Sequence, residues 1–287
     1  MRTSALREQR RPTLTPSALG RAATLALHDE LSLTPKPGLV TLFDRGSHDD
    51  MDAHTFMRSL FSLRRYFAQI AEAGLAGAEF DVLERLGIAA EARMLAATGG
   101  INTHRGAIFM LGLLCAAAGA VLREHDEAPR PAELQRALRL RWGDALARRS
   151  RRTSTLPGGI AARRHGLRSA SEEAALAFPV LFDVALPALR AALARGLTPQ
   201  QARLDTLFHI MAVLEDSNLA HRGGLAGLRF AQRTAQAFLH RGGVARPGGL
   251  LEAHAMAGEF VARRLSPGGA ADTLAAACWI TRVCGAS

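Results

Sequence analysis

The residue that most suggests chemistry is Lys36, the only lysine of the 287-residue chain, whose other basic side chains are arginines and histidines. It stands between Pro35 and Pro37, which exclude a helix through this position and restrict the backbone on both sides. Lys36 would therefore lie on a rigid, non-helical ledge, as a compact point charge for an anionic group. The alternative is a solvated lysine in a rigid loop, with few contacts to the core.

Three further polar junctions resemble the one around Lys36, because each combines glycine with the start of a helix. They cover residues 102–106, 216–224 and 266–272, and the first junction covers 36–52. The only two asparagines of the chain, Asn102 and Asn218, lie in two of them. Backbone N–H groups at a helix start, with nearby basic side chains, form a typical binding site for phosphates. We therefore expect the four junctions to form one shared polyphosphate site.

Acidic and imidazole side chains in and near these junctions add two kinds of chemistry. Carboxylate oxygens are preferred ligands of Mg²⁺, which often bridges protein and phosphates, and histidine exchanges protons near neutral pH. Taken singly, each of these residues is more often a helix cap or a satisfied structural group. The candidate metal ligands are Glu30, Asp50, Asp52, Asp216 and Asp272, and the candidate acids or bases are His48, His104 and His221.

Helical periodicity dominates the elements that must position these side chains. A helix is predicted from Pro16 to about Ser32, and a stripe of Phe56, Leu60, Leu63 and Phe67 follows at spacings of four, three and four. No strand-type alternation, repeat or long linker is visible. We therefore predict an all-α fold of about ten helices in a single domain, residues 14–287, after a disordered N-terminus at residues 1–13.

One segment, residues 148–168, is rich in Arg, Ser, Thr and Gly. It is the best candidate for a mobile part of the chain. It would either close over bound phosphates as a lid or remain a solvated loop, and composition favours the loop.

Composition limits the classes of partner. The formal charge of +10 and a pI near 11.1 favour an anionic partner, although arginines on solvated faces explain much of the charge. Aromatic residues make up only 5%, which argues against a stacking platform for single-stranded nucleic acid. The three cysteines lack metal-type spacing, and the longest apolar run, residues 107–122, is short for a membrane span. We expect a cytoplasmic enzyme without stable nucleic-acid or membrane association.

The order of the motifs carries a more specific signal. The blocks at residues 33–40, 46–51, 102–106, 216–224 and 265–272 together resemble the triphosphoribosyl-dephospho-CoA synthase family, from about residue 18 onward. Two departures concern Thr41, where many members carry aspartate, and residues 165–174, where many read Gly-Ala-Arg-Gly-Glu-Ala. With Phe178-Pro179, these departures resemble the branch that serves malonate decarboxylase rather than citrate lyase.

The resemblance implies a pentosyltransferase that joins ATP, as substrate, to 3′-dephospho-CoA, releases adenine and supplies the prosthetic-group precursor of an acyl-carrier protein. Mg²⁺ would assist. The resemblance also implies catalytic roles for His48, Asp50 and Asp216. The metal ligands that it implies are Glu30, Asp50, Asp216 and Asp272. The implied substrate- and phosphate-binding residues are Lys36, Asn102, His104, Arg105, Asn218, Arg222, Gly223, Ser266, Gly268 and Gly269.

Two other classes of function remain open at this stage. A metal-dependent nucleotide hydrolase would use the same acids with water as the acceptor. A basic helical protein that binds nucleic acid would need its arginines on one face.

Overall fold

A computed structural model describes residues 14–284, so the predicted disorder of residues 1–13 lies outside the described residues. Within that range the chain is all-α, as predicted, with no strand. The α-helices are α1 (Pro16–Leu31), α2 (Ala53–Ala76), α3 (Phe80–Thr98), α4 (Arg105–Leu122), α5 (Pro131–Ala137), α6 (Gly143–Ser150), α7 (Pro157–His165), α8 (Ala170–Ala175), α9 (Leu186–Ala194), α10 (Pro199–Val213), α11 (Ser217–His240), α12 (Gly249–Ala262) and α13 (Gly268–Val283). Two π-helical turns, Leu138–Trp142 and Val180–Ala185, and a 3₁₀ turn, Gly243–Ala245, connect some of them.

The centre of the fold is α4, which packs against α1, α2, α3 and α13. Its sequence is almost entirely apolar and rich in Ala and Gly, and from Leu111 to Leu122 every residue is buried. Small residues let α2 and α4 approach closely, because a Cβ at Gly74 would overlap the backbone of Ala116. By length and composition α4 could cross a membrane, but 78% of it is buried inside this fold, as expected for a core helix.

The polar junctions lie at the starts of helices, as their sequences predict. Asp52 caps α2 by accepting from the Thr55 N–H at 2.9 Å, and Asp216 caps α11. The break expected around Gly223 and Gly224 is present as a kink, because Gly224 has the non-helical angles φ 60° and ψ −167° inside α11. This kink changes the direction of the chain directly after the third junction.

The structure corrects the interpretation of residues 148–168 as a loop. Its central part forms helix α7, which begins at Pro157 and ends at His165, with Gly166 directly after it. Proline at the first helical position and glycine after the last are favourable ends. The helix packs along α11. Tertiary packing thus supplies the stability that its short, polar sequence lacks.

The first and last junctions are joined by direct backbone approach. Gly38 has a left-handed φ of +66°, and a Cβ on it would overlap the Leu265 carbonyl oxygen. The neighbouring Ser47 hydroxyl donates to the same carbonyl at 2.6 Å. A glycine is therefore required at position 38 for both conformational and steric reasons.

We predict that Gly38→Ala destabilises the protein by about 3 kcal/mol, from ~1–2 kcal/mol of left-handed strain and a similar cost of steric overlap. Gly166→Ala is the matched control, because Gly166 has nearly the same φ, +62°, but open space around it. That variant should lose only about 1 kcal/mol. Urea unfolding of both variants measures the difference, and equal losses would show that the approach to Leu265 contributes nothing.

Candidate active site

All four polar junctions line one cavity of about 1720 Å³. Each contributes at least one side chain whose function was predicted from the sequence. The predicted site residues on its wall are Glu30, His48, Asp50, Asn102, His104, Arg105, Asn218, Arg222, Ser266, Gly268, Gly269 and Asp272. The predicted residues Lys36, Asp216 and Gly223 lie behind this wall rather than on it.

Two carboxylates, the buried Asp216 and the half-buried Asp272, lie at three helix N-termini beside the cavity. Asp216 accepts from the backbone N–H groups of Asn218 at the start of α11 and of Ala270 at the start of α13, at 2.9 and 3.0 Å. Asp272 lies against the start of α4, where its carboxylate is beside Gly106 and the Ala107 N–H lowers its pKa slightly. A Cβ at Gly106 would overlap the Asp272 carboxylate, so glycine is needed for this approach. Carboxylates therefore lie against the backbone N–H groups that were expected to bind phosphate at these positions.

Burial changes the proton affinity of both carboxyls. Desolvation raises the pKa of Asp216, although several backbone N–H groups oppose the shift. Desolvation, and then the charges of Glu30 and Asp216, raise the pKa of Asp272 well above its usual range. Asp272 lines the cavity and has an elevated pKa, which is typical of a functional carboxyl. A catalytic or metal-binding role of Asp216 stays a prediction, and its backbone contacts give it a structural role.

His48 and Ser266 bring the first and last junctions into direct contact at the cavity wall. The His48 Nε2 lies 2.9 Å from the Ser266 hydroxyl oxygen, and its Nδ1 lies 3.9 Å from an Asp50 carboxylate oxygen. Desolvation and the nearby Arg222 charge lower the pKa of His48. The imidazole is therefore neutral at pH 7 and able to accept a proton. The Asp50 side chain is 63% exposed, so it lies at the mouth of the cavity.

Arg222 fastens the loop that carries His48. Its guanidinium donates to the Arg264 carbonyl at 2.7 Å and to the Ser47 carbonyl. Asn218, one turn earlier on α11, has its amide against Gly268, where a Cβ would come within 2.9 Å of the Asn218 Nδ2. Gly223 lies against the Leu265 side chain instead. The third junction thus both lines the cavity and positions the fourth.

The second junction contributes a buried histidine. His104 is 3% exposed, and its Nδ1 lies 2.6 Å from the hydroxyl of Ser59, which also accepts from Thr103 at 2.7 Å. Asn102 caps α4 by accepting from the Arg105 N–H, and Arg105 pairs with Glu91 on α3. Sequence reasoning missed Ser59, because a serine in the apolar stripe of α2 carries no local signal of its partner 45 residues away.

The position of the Lys36 side chain contradicts one expectation from the sequence. Its side chain is 1% exposed, and its ammonium donates to the Glu30 carboxylate at 2.6 Å and to the Glu30 carbonyl at 2.8 Å. The view of a loop lysine with few core contacts was wrong, because the proline ledge turns this side chain inward. Burial lowers the pKa of Lys36, while Glu30 opposes the shift. A direct role in phosphate binding stays a prediction, and removal of the ammonium would leave Glu30 buried and unpaired.

The acids that were expected to hold a metal do not form one cluster. Among residues 14–284, no three His, Cys, Asp or Glu side chains come together as a metal site. Glu30 and Asp272 both line the cavity and are near enough to interact electrostatically, whereas Asp50 lies at the mouth. Mg²⁺ is often bound through one or two carboxylates plus phosphates and water. The carboxylate pair fits that mode.

The segment expected to be a loop or lid supplies much of the remaining wall. Arg149 donates to Glu84 at 3.1 Å and to the Ser171 hydroxyl at 2.7 Å, and its guanidinium lies 4.9 Å from the Phe109 ring centre. Arginines thus give this side of the cavity positive charge. The arginines of this segment that line the cavity are Arg149, Arg151, Arg152, Arg163 and Arg168.

Comparison with known proteins gives a consistent result. The family model described as ATP:dephospho-CoA triphosphoribosyl transferase matches residues 16–286. A probable 2-(5″-triphosphoribosyl)-3′-dephosphocoenzyme-A synthase from Acinetobacter calcoaceticus is 37% identical over 261 residues, 91% of this chain and 89% of that protein. A protein of the same description from Citrobacter koseri is 37% identical over 266 residues, 90% of this chain and 88% of its own length. No solved structure matches.

The elevated pKa of Asp272 leads to a stability prediction. The folded protein keeps the Asp272 proton at pH values at which the unfolded chain has released it. The free energy of unfolding of the wild type therefore falls as pH rises above the pKa of Asp272 in the unfolded chain, by up to ~1.4 kcal/mol per pH unit. An amide does not titrate and keeps an acceptor oxygen beside the Ala107 N–H. We therefore expect Asp272→Asn to raise the melting temperature, and to raise it more at pH 8 than at pH 5.

Thermal melts of the variant and the wild type at both pH values measure this effect. Asp126→Asn, in an exposed turn, controls for the loss of one negative charge. A stabilisation by Asp272→Asn that does not grow with pH would show that the carboxyl is ionised at little cost in the folded protein.

Proposed function

The chain belongs to the ATP:dephospho-CoA triphosphoribosyl transferase family, and from this premise we propose how its cavity performs that reaction. The enzyme joins the 5-triphosphoribosyl group of ATP to the 2′-hydroxyl of 3′-dephospho-CoA and releases adenine. The observation that carries the proposal is the convergence of the four motif junctions on one cavity that has carboxylates on one wall and arginines on another. Such a cavity suits a substrate with a reactive sugar and a triphosphate.

The reaction exchanges one bond at the anomeric carbon for another. The bond between the acceptor 2′-oxygen and C1′ forms, the bond between C1′ and adenine N9 breaks, and adenine leaves with the electron pair. The acceptor hydroxyl loses a proton and adenine gains one, so no net proton is released. Positive charge develops on the ribose, as in glycoside cleavage. The site therefore needs a base, nearby negative charge and a firm hold on the triphosphate.

His48 is the best placed base on the cavity wall. Its lowered pKa keeps the imidazole unprotonated at neutral pH, and Ser266 and Asp50 lie beside its two nitrogens. Asp50, one of the three residues predicted to be catalytic, would stabilise the imidazolium that forms when the 2′-hydroxyl is deprotonated. Asp216 supports the site through the helix starts that it holds.

Glu30 and Asp272 form the acidic wall; the raised pKa of Asp272 favours its protonated form in the empty site, and positive charge beside it would favour the ionised form. Their carboxylates would stabilise the positive charge that develops on the ribose, and they are also the residues that would hold Mg²⁺. Bound there, Mg²⁺ would neutralise phosphate oxygens and orient the triphosphate. Because Lys36 neutralises Glu30 in part, the charge at this wall is balanced rather than freely acidic.

The triphosphate is a handle in this reaction rather than a leaving group, so its binding must position the ribose. Arg105, Arg222 and the five cavity-lining arginines of residues 149–168 supply positive charge for it. Binding energy from these remote groups is used for orientation. Asn102 and Asn218 add neutral hydrogen-bonding groups beside them.

We further propose that the product serves the acyl-carrier subunit of a malonate decarboxylase, with synthesis in the cytoplasm. The sequence departures at Thr41 and residues 165–174 support this branch. Thr41 accepts from the N–H groups of Phe43 and Asp44 and donates to Asp44 at 2.9 Å, so it closes a turn where an aspartate was expected. Transfer of the purified product to the malonate rather than the citrate enzyme's carrier is the test.

The reaction itself predicts a definite set of products. Incubation of the protein with ATP, Mg²⁺ and dephospho-CoA should release adenine and the triphosphoribosyl adduct in equal amounts, as measured by mass spectrometry and chromatography. Omission of dephospho-CoA should abolish adenine release. Stoichiometric ADP or pyrophosphate would contradict the proposal, and adenine release without an acceptor would favour a hydrolase.

The role of His48 gives a second prediction. His48→Gln keeps a hydrogen-bonding side chain but removes the base, so kcat/KM should fall by about 10²–10⁴-fold. The wild-type kcat/KM should also decline as pH falls through the lowered pKa of His48, and the variant should lose this decline. His54→Gln, on the exposed start of α2, is the control and should retain wild-type kinetics. Unchanged kinetics in His48→Gln would assign the base elsewhere.

A further inference from the structure

One part of the cavity wall is apolar and separate from the main core. Leu31, Val40 and Met51 form a small buried cluster that Phe56 and Ile101 extend. Val40, Met51 and Phe56 of this cluster line the cavity. Small satellite clusters beside a main core are common, and this one borders the cavity. Its exposed side offers an apolar surface to a ligand.

His104 stands at the edge of this surface with one nitrogen unused. Its ring packs edge-on against Phe56, with centres 4.9 Å apart at 71°, and it lines the cavity. Its Nε2 is buried and has no hydrogen-bond partner among the described residues. A buried polar atom without a partner is uncommon and requires an explanation. A bound ligand would supply the missing partner.

The hydroxyls on the other side of His104 favour a proton on Nε2. Thr103 donates to the Ser59 oxygen, which leaves the Ser59 proton for the His104 Nδ1 at 2.6 Å. In this arrangement the imidazole proton lies on Nε2, so the unused atom is an N–H donor. Desolvation and the charge of Lys36 lower the pKa of His104 to about 3, and the ring stays neutral.

We propose that this surface is the adenine subsite of the enzyme, and that the His104 Nε2–H donates a hydrogen bond to N3 or N7 of the departing base of ATP. The inference rests on the proposed function. Adenine has a flat apolar face for Val40, Met51 and Phe56 and ring nitrogens that accept a hydrogen bond. Ser59 is the positioning residue that holds His104 in the donor form.

The chemistry favours a base rather than a phosphate at this position. A phosphate prefers charged donors, whereas the His104 ring is neutral and its neighbour Arg105 is already paired with Glu91. As C1′–N9 breaks, negative charge moves onto the adenine ring, so a fixed N–H donor interacts more strongly with the transition state than with ATP. A neutral imidazole at a helix N-terminus can act in this way without giving up its own proton.

The expected kinetic signature is a loss in kcat. His104→Leu, which is similar in volume and leaves the Ser59–Thr103 contact possible, should lower kcat with ATP about 100-fold. Ser59→Ala should lower it about 10-fold with little change in the KM for either substrate. Ser62→Ala is the matched control, because this hydroxyl on the same helix bonds only to the Ser59 carbonyl, at 2.7 Å.

Base analogues and tautomer measurements separate this role from a merely structural one. One of the two analogues 3-deaza-ATP and 7-deaza-ATP lacks the proposed acceptor. With that analogue the kcat of the wild type should fall about 100-fold, whereas the kcat of His104→Leu should fall little below its value with ATP. ¹⁵N NMR of histidine-labelled wild type, assigned by comparison with His104→Leu, should show His104 as the neutral Nε2–H form, and Ser59→Ala should alter that signal.

Three results would overturn the inference while the transferase activity stands. The first is equal sensitivity of wild type and His104→Leu to both analogues. The second is an effect confined to the KM for dephospho-CoA, which would assign the subsite to the acceptor's adenine. The third is a proton on Nδ1 of His104. Absence of any adenine release by the wild-type protein would instead contradict the proposed function itself.

Discussion

A single buried carboxylate organises this site: Asp216 accepts hydrogen bonds from the first turns of two different helices. Its oxygens bind the N–H groups of Asn218 and Leu219 on α11 and of Ala270 on α13. Since free N–H groups at a helix start must find partners, this carboxylate fixes where α11 and α13 begin relative to each other. The positions of Asn218, Ser266 and Asp272 on the cavity wall all follow from that junction.

Two further constraints build on this arrangement. Asp272, one turn into α13, reaches the start of α4 because Gly106 leaves room for it. Ser47 and Gly38 close the other side by approaching the Leu265 carbonyl. Glycine recurs at these points because each contact is between backbone and carboxylate or between two backbones. The glycines of the motif blocks thus bring helix ends together rather than provide mobility.

The sequence predicted the helical class and the meeting of the four junctions, because both follow from local signals, namely periodicity, caps and breaks. It could not predict which way Lys36 points, since its inward turn depends on the position of Glu30 at the end of α1. Ser59 was missed for a similar reason, as its partner His104 is distant in the chain. Helix α7 was missed because its short polar sequence becomes helical only against α11.

The charges of the cavity explain why the acidic wall lowers the stability of the protein and still suits the reaction. Placing Glu30, Asp216 and Asp272 close together with little solvent around them is unfavourable, and among residues 14–284 only Lys36, behind this wall, forms a direct ion pair with one of them, Glu30. Replacing such groups with neutral ones is often stabilising. The loss of stability caused by these carboxylates is understandable if a ligand relieves it. A positively charged ribose, or Mg²⁺ on its phosphates, would neutralise them only when bound. The wall therefore favours the charged transition state over the empty site, which is the condition for catalysis rather than mere binding.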